Sequence, residues 1–209
     1  MAVVAGRSTR SLAITMITPQ WTPPTKSQLA AADEMVDAVI KSLRSDRGVH
    51  AETAIASAAR MAGTFLFRSF NFLNIDAAPG SAVFSDAAND YGPLLIDTLG
   101  SGLVTLGLAK PSTDMAIPEE HKPHTTVLET QSLIEAPLHE IALTHNLTLE
   151  QAAHSCALVA ARLIQMSAQV LEPQIGFALA AYAIVEGSKT MPAPRNVAPE
   201  KKGRLKWRK

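Results

Sequence analysis

The sequence predicts an all-α protein, a single compact bundle of about six helices. Apolar residues recur at spacings of three and four through most of residues 25–188, the predicted helical domain. Capping residues stand before several of these stretches, and no convincing alternation of apolar and polar residues indicates a strand. Hydrophobic residues make up 47% of the chain and aromatic residues only 5%. The core must therefore consist mainly of Ala, Leu, Ile, Val and Met.

The first two predicted helices run from about Ser27 to Leu43 and from about Val49 to Phe70. The second carries one narrow polar stripe, since six polar residues fall on one face at 100° per residue. These residues are His50, Thr53, Ser57, Arg60, Thr64 and Arg68. Nearly all other positions on this helix are apolar, and its rows of Ala and Gly predict close approach of neighbouring helices.

Two prolines are expected to disturb the middle of the bundle. The helix that Ser85 caps meets Pro93, where a break or kink is predicted because proline lacks a backbone N–H group and clashes with the preceding turn. The polar linker over residues 109–124 then either divides the bundle into two layers or crosses a single one. A capping box at Thr126 opens the next helix, which is interrupted, or kinked, at Pro137.

Two apolar helices complete the predicted bundle. A capping box at Thr148 opens a helix to about Leu171, and Pro173 suits the first turn of a last helix that ends near Glu186. The last helix is apolar almost all round, so we expect other helices to surround it or a second copy of the chain to cover it. Because small residues concentrate on the second, fifth and last helices, these three are predicted to form the inner layer.

The two ends of the chain are expected to lie outside this bundle. Residues 1–24 are predicted to be a disordered N-terminus, with a targeting segment as the alternative because the first 32 residues contain no acid. Residues 189–209 are predicted to form an extended basic tail. The last nine residues hold six basic side chains and no acidic one, which leaves 13 basic and 19 acidic residues, a net charge of −6, in residues 1–200.

The single cysteine, Cys156, excludes an intrachain disulfide and favours a reducing, cytoplasmic location. It falls on the apolar face of its helix and is predicted to be a core residue, since a nucleophilic thiol needs a base and a polarising neighbourhood. No apolar run reaches the roughly 18 residues that a membrane-spanning helix requires. We therefore predict no membrane span.

Five residues are candidates for a buried or ligand-binding polar site: Glu52, His50, Glu135, His139 and His154. Glu52 stands out because it points away from the polar stripe, toward the arc that Ala56, Ala59 and Gly63 share. A carboxylate there is expected to be buried with a raised pKa, or to be held by a cation. The alternative is a first-turn glutamate that reaches solvent and the free N–H groups of the helix start.

Two Glu/His pairs, Glu135 with His139 and Glu150 with His154, are four residues apart and share a helix face. Carboxylate-bridged metal sites in helical bundles use the spacing Glu-x-x-His instead, with further glutamates on other helices. The motif H-E-x-x-H is also absent, because Leu143 stands four residues after His139. Ion pairs are therefore favoured for both pairs, and no metal or cofactor is predicted.

No motif in the sequence names a reaction, and the expected function is self-association, as a homo-oligomer, or binding of another protein. One alternative is a helical-bundle enzyme, or a binder of a metal or small ligand, that uses the Glu and His residues above. The other is nucleic-acid association through the basic tail, for which a solubilising end is the simpler interpretation. The tail contacts would come from Lys201, Lys202, Arg204, Lys206, Trp207 and Arg208.

Overall fold

A computed structural model describes residues 19–70, 72, 76–109, 112 and 117–195. These residues form six helices and no strand, which confirms the all-α prediction. No helix among them is both long and apolar enough to cross a bilayer. The helices are α1 (Lys26–Leu43), α2 (Ala51–Ser69), α3 (Asp86–Thr105), α4 in three consecutive segments (Val127–Thr130, Gln131–Glu135 and Ala136–Thr144), α5 (Leu149–Met166) and α6 (Pro173–Ser188), with a 3-10 turn at Glu119–His121 before α4.

Side-chain caps fix where the helices begin. The predicted N-caps Ser85, Thr126 and Thr148 each accept a hydrogen bond from the backbone N–H three residues on, and the last two belong to complete capping boxes. Helix α5 ends at Met166, five residues before the predicted end. The chain turns after Met166, where the N–H of Leu171 donates to the carbonyl of Ser167 at 2.9 Å, before Pro173 opens α6.

The two prolines act differently on their helices. Helix α3 continues through Pro93, which lies on an exposed side, so the break considered there does not occur. In α4 the segment Gln131–Glu135 is a π-helical turn, directly before Pro137. Proline has no N–H group to donate to the preceding turn, and a wider turn accommodates that loss. The interruption predicted at Pro137 is therefore a π-helical turn.

Helix α2 occupies the centre of the bundle, packed mainly against α5 and α6, and its residues 53–67 are all buried. Glycines let the backbones of α2 and α6 touch. A Cβ atom added at Gly63 would lie 2.3 Å from the carbonyl oxygen of Ile184, and one at Gly187 would lie 2.2 Å from that of Arg60. No side chain larger than hydrogen fits at this crossing.

Two segments outside the helices pack on the bundle. Trp21, within the segment 1–24, donates from Nε1 to Thr98 Oγ1 on α3 at 3.0 Å. Residues 189–195, the C-terminal strap, run beside the loop before α3, where the N–H of Met191 donates to the carbonyl of Ser81 at 2.8 Å. Residues 1–18 and 196–209 lie outside the described residues, and the predictions of a targeting segment and of most of the tail fall there.

Candidate functional site

Apart from His50 at its first end, which is exposed, the polar stripe of α2 is a buried seam inside the molecule. Thr53, Ser57, Arg60 and Thr64 are each no more than 6% exposed, and Arg68 is nearly buried. Buried polar groups are costly unless they are hydrogen-bonded. This polar seam, from His50 to Arg68, finds its partners on the linker after residue 117, on α4, on α6 and on the strap.

The middle of the polar seam is held by one ion pair and several neutral hydrogen bonds. Arg60 Nε lies 2.7 Å from Glu186 Oε2 on α6, and its Nη1 donates to the carbonyl of Thr125 in the linker. Thr64 Oγ1 accepts from Gln131 Nε2 on α4 at 3.2 Å. Each contact joins α2 to a different segment of the chain, so the polar seam connects the parts of the fold.

At the first end of the polar seam, Glu52 lies between two histidines. His121 Nδ1, from the 3-10 turn, is 2.9 Å from Glu52 Oε1, and His50 Nε2 is 3.3 Å from Oε2. Burial alone would raise the pKa of Glu52, but the hydrogen bond with His121 and a backbone hydrogen bond at the helix start hold it below the usual value of 4.5. Glu52 is thus a mostly buried carboxylate whose partners are histidines.

The same histidines attach the linker to the start of α2. His50 Nδ1 accepts from the N–H of Thr53 at 3.3 Å as the helix cap, so its proton is on Nε2, which faces Glu52. The ring of His124 stacks on that of His50 with centroids 4.0 Å apart, and the N–H of His124 donates to Thr53 Oγ1 at 3.0 Å. Among the described residues, no group of three or more His, Cys, Asp and Glu is placed to hold a metal ion.

At the other end of the polar seam, Arg68 and Glu135 form a buried ion pair. Nη2 of Arg68 donates to Glu135 Oε2 at 2.9 Å, and Nε lies 2.7 Å from Oε1 as a charge contact without hydrogen-bond alignment. Arg68 Nη2 also donates to the carbonyl of Ala193 at 2.7 Å, and the N–H of Ala193 donates to Gln131 Oε1 at 3.0 Å. The ion pair and Gln131 thereby hold the strap against α2 and α4.

His139 lies beside this ion pair, with Nε2 2.9 Å from Nη1 of Arg195 in the strap. Burial, and then the positive charge of Arg195, lower the pKa of His139. An imidazole that faces a guanidinium in this way is neutral and accepts its hydrogen bond. The structure therefore brings Glu135 and His139 together, but through two arginines on other segments of the chain.

His154 lies apart from both clusters. Its Nδ1 is 2.7 Å from Thr98 Oγ1, and burial lowers its pKa. The ion pairs predicted for Glu150 with His154 and for Glu135 with His139 do not form: His154 contacts Thr98, and Glu135 is paired with Arg68. Cys156 is fully buried, and burial raises its pKa, which leaves an unreactive core thiol.

A cleft of about 570 Å³ opens between α4 and the strap, next to the Arg68–Glu135 pair. Its lining is partly apolar and partly charged; it includes Leu128, Ser132, Ala136, His139, Leu143 and Arg195. Sequence analysis did not single out Gln131 or Arg195. Arg68 did belong to the predicted polar stripe. The narrowness of that stripe on an otherwise apolar helix was the available signal that Arg68 would be buried.

The predicted tail contacts, from Lys201 to Arg208, lie outside the described residues, so the structure does not test nucleic-acid association. Comparisons of the chain with family models, with curated proteins and with solved structures gave no match.

Proposed function

We propose that the protein acts through self-association, and that two copies pack together through the outer face of α6. The observation that carries the proposal is an apolar stripe on that face. Ile175, Ala178, Tyr182 and Val185 follow one another at intervals of three and four residues, so they share one side of the helix. Tyr182 is 62% exposed and Val185 is 41% exposed, whereas the opposite side of α6 is packed against the core.

The α6 stripe favours a second copy of the same chain because it is self-complementary. Two-fold axes generate most small oligomers, and they place one surface patch against its own copy. An antiparallel pair of α6 helices centred on Tyr182 sets position 189 of one copy opposite position 175 of the other, since both are seven residues from the centre. Lys189 then approaches Glu172 of the second copy, whereas a parallel pair would place like charges together.

Phe84 adds a large apolar side chain at one end of this stripe. It is 84% exposed, and the N–H of its neighbour Val83 donates to the carbonyl of Lys189 at 2.7 Å. In the antiparallel arrangement Phe84 therefore reaches the Ile175 end of the second copy. Exposed aromatic and aliphatic side chains grouped on one face are typical of a protein–protein interface.

Sedimentation of the full chain tests the proposal. We expect a species of twice the 22.2 kDa chain mass, and we expect Val185→Asp to convert it to monomer because a charge is buried in the interface. Leu29→Asp is the matched control: Leu29 is 42% exposed, close to the 41% of Val185, but lies on α1. A monomer at high micromolar concentration, or equal effects of the two substitutions, would overturn self-association through α6.

A charge exchange tests the antiparallel geometry separately. Glu172→Lys and Lys189→Glu should each weaken the dimer, because each creates a like-charge pair across the axis. The double variant Glu172→Lys/Lys189→Glu restores the opposite charges and should recover most of the affinity. Additive weakening in the double variant would show that these two side chains do not face each other.

A further inference from the structure

At the mouth of the α4 cleft, Arg195 has no carboxylate of the described residues closer than 4.0 Å. Two guanidinium groups share one carboxylate: Glu135 Oε1 is 2.7 Å from Arg68 Nε and 4.0 Å from Arg195 Nε. The hydrogen-bonding partner of Arg195 is His139, which is neutral. Burial and then the charge of Arg68 lower the pKa of Arg195, so Arg195 is a cation in a place that disfavours one. Glu140 also lines the cleft, and it and Arg195 are both exposed; the carboxylate that raises the pKa of Arg195 is that of Glu135.

The cleft beside this cation has the size and lining of a small-molecule site. Its volume of about 570 Å³ lies within the range of known ligand pockets, which is about 300 to 1,000 Å³. Apolar side chains of α4 and the strap form part of the wall: Leu128, Ala136, Leu143 and Pro194. Leu143 is 53% exposed there, so the monomer leaves apolar surface uncovered next to an incompletely neutralised arginine.

We propose that this cleft binds a small amphipathic organic acid, with its carboxylate on Arg195 and its apolar chain along α4 toward Leu143. The carboxylate would take the place of His139 Nε2 as the acceptor for Arg195 Nη1. A carboxylate adds the attraction of opposite charges and can accept two parallel N–H groups of the guanidinium, whereas neutral His139 accepts one, so the exchange favours the ligand. The buried Arg68–Glu135 pair holds the strap, and with it Arg195, in position behind the ligand.

Calorimetric titration of the full chain at neutral pH with octanoate, octanol and octylamine tests the chemistry. Octanoate should bind, octanol should bind at least about tenfold more weakly because it lacks the charge, and octylamine should not bind because Arg195 repels it. Acetate, which has the carboxylate without the chain, should also bind far more weakly than octanoate. Equal affinity for octanoate and octylamine, or no octanoate binding at millimolar concentration, would overturn the proposal.

Two variants locate the site. Arg195→Gln should weaken octanoate binding at least about tenfold, which is the loss expected for one charge-assisted hydrogen bond. The control Arg162→Gln also removes an arginine, one that pairs with Asp33 away from the cleft, and should leave binding unchanged. Leu143→Asp alters an exposed side chain, keeps the fold, and should abolish binding through both charge and lost apolar contact. Octanoate binding that is unaffected by both Arg195→Gln and Leu143→Asp would place the ligand elsewhere.

Discussion

Replacing Gly63 by alanine probes the closest contact in the bundle. The new Cβ would lie 2.3 Å from the carbonyl oxygen of Ile184, 2.5 Å from the N of Ser188 and 2.7 Å from the carbonyl carbon of Gly187. All three are backbone atoms of α6, so no side-chain rotation can relieve the overlap. The two helices must move apart, by about 1 Å if the contacts are to approach normal van der Waals separation.

The expected cost follows from two opposing effects. Extra atoms in a packed core cost about 1–3 kcal/mol, and more where the neighbours cannot move. Alanine in place of glycine within a helix raises the free energy of unfolding by up to about 1 kcal/mol. Because the neighbours here are backbone atoms in the centre of the fold, the cost should exceed that range at about 4 kcal/mol, so Gly63→Ala should lower the free energy of unfolding by about 3 kcal/mol net.

Urea unfolding followed by circular dichroism measures this loss, and Gly100→Ala is its control. A Cβ at Gly100, on α3, would meet only one atom of Phe177, at 4.0 Å, an ordinary contact. Gly100→Ala should therefore be neutral or stabilising by up to about 1 kcal/mol. If Gly63→Ala is as stable as Gly100→Ala, the backbones of α2 and α6 do not touch at Gly63, and the packing argument fails.

Two further predictions concern the ends of the polar seam. Glu135→Leu should lower the free energy of unfolding by about 3–5 kcal/mol, because Arg68 is left buried without its counter-charge. The double variant Arg68→Met/Glu135→Leu should recover most of that loss. Equal stability of the single and double variants in urea would contradict the ion pair. The pKa of Glu52 is lowered on folding, so its contribution to stability is complete above pH 4.5 and disappears as pH falls through the lower folded value. Glu52→Gln should therefore be less stable than the native protein at neutral pH, and its free energy of unfolding should fall less as the pH drops below 4.5. If the free energy of unfolding falls equally in both proteins below pH 4.5, the role of His121 is contradicted.

The helices were predictable because their signals are local. Periodic apolar residues and a cap such as Thr126 or Thr148 lie within a few residues of the helix that they define. The start of α1 was displaced by one residue since the capping box of Thr25 and Gln28 was not used as a signal. The path of residues 117–126 was not predictable, because it depends on contacts with α2 that lie far away in sequence.

The candidate site was predicted only in part, because sequence signals identify partners that are close together along the chain. Helical periodicity identifies neighbours three and four residues apart, and so it proposed Glu135 with His139. The actual partner of Glu135 is Arg68, 67 residues away, and that of Glu52 is His121, 69 residues away. Such pairs follow from how the helices pack, which periodicity alone does not specify. The polar stripe did show which face of α2 would need partners.

The two sides of α2 stabilise the fold in different ways. On one side, Ala and Gly rows let α5 and α6 approach closely, and the crossing of Gly63 with α6 already excludes a slide of one helical turn, about 5.4 Å, because Ala59 or Phe67 would then take the place of Gly63. On the other side, the polar seam does not repeat: the partner of Arg60 is on α6, that of Thr64 on α4, and those of Arg68 on α4 and the strap. A slide of one turn would leave several buried polar groups unpaired, at a cost of about 1–3 kcal/mol for each. The small residues thus set the distance between the helices, and the glycine crossing and the polar seam together select their register.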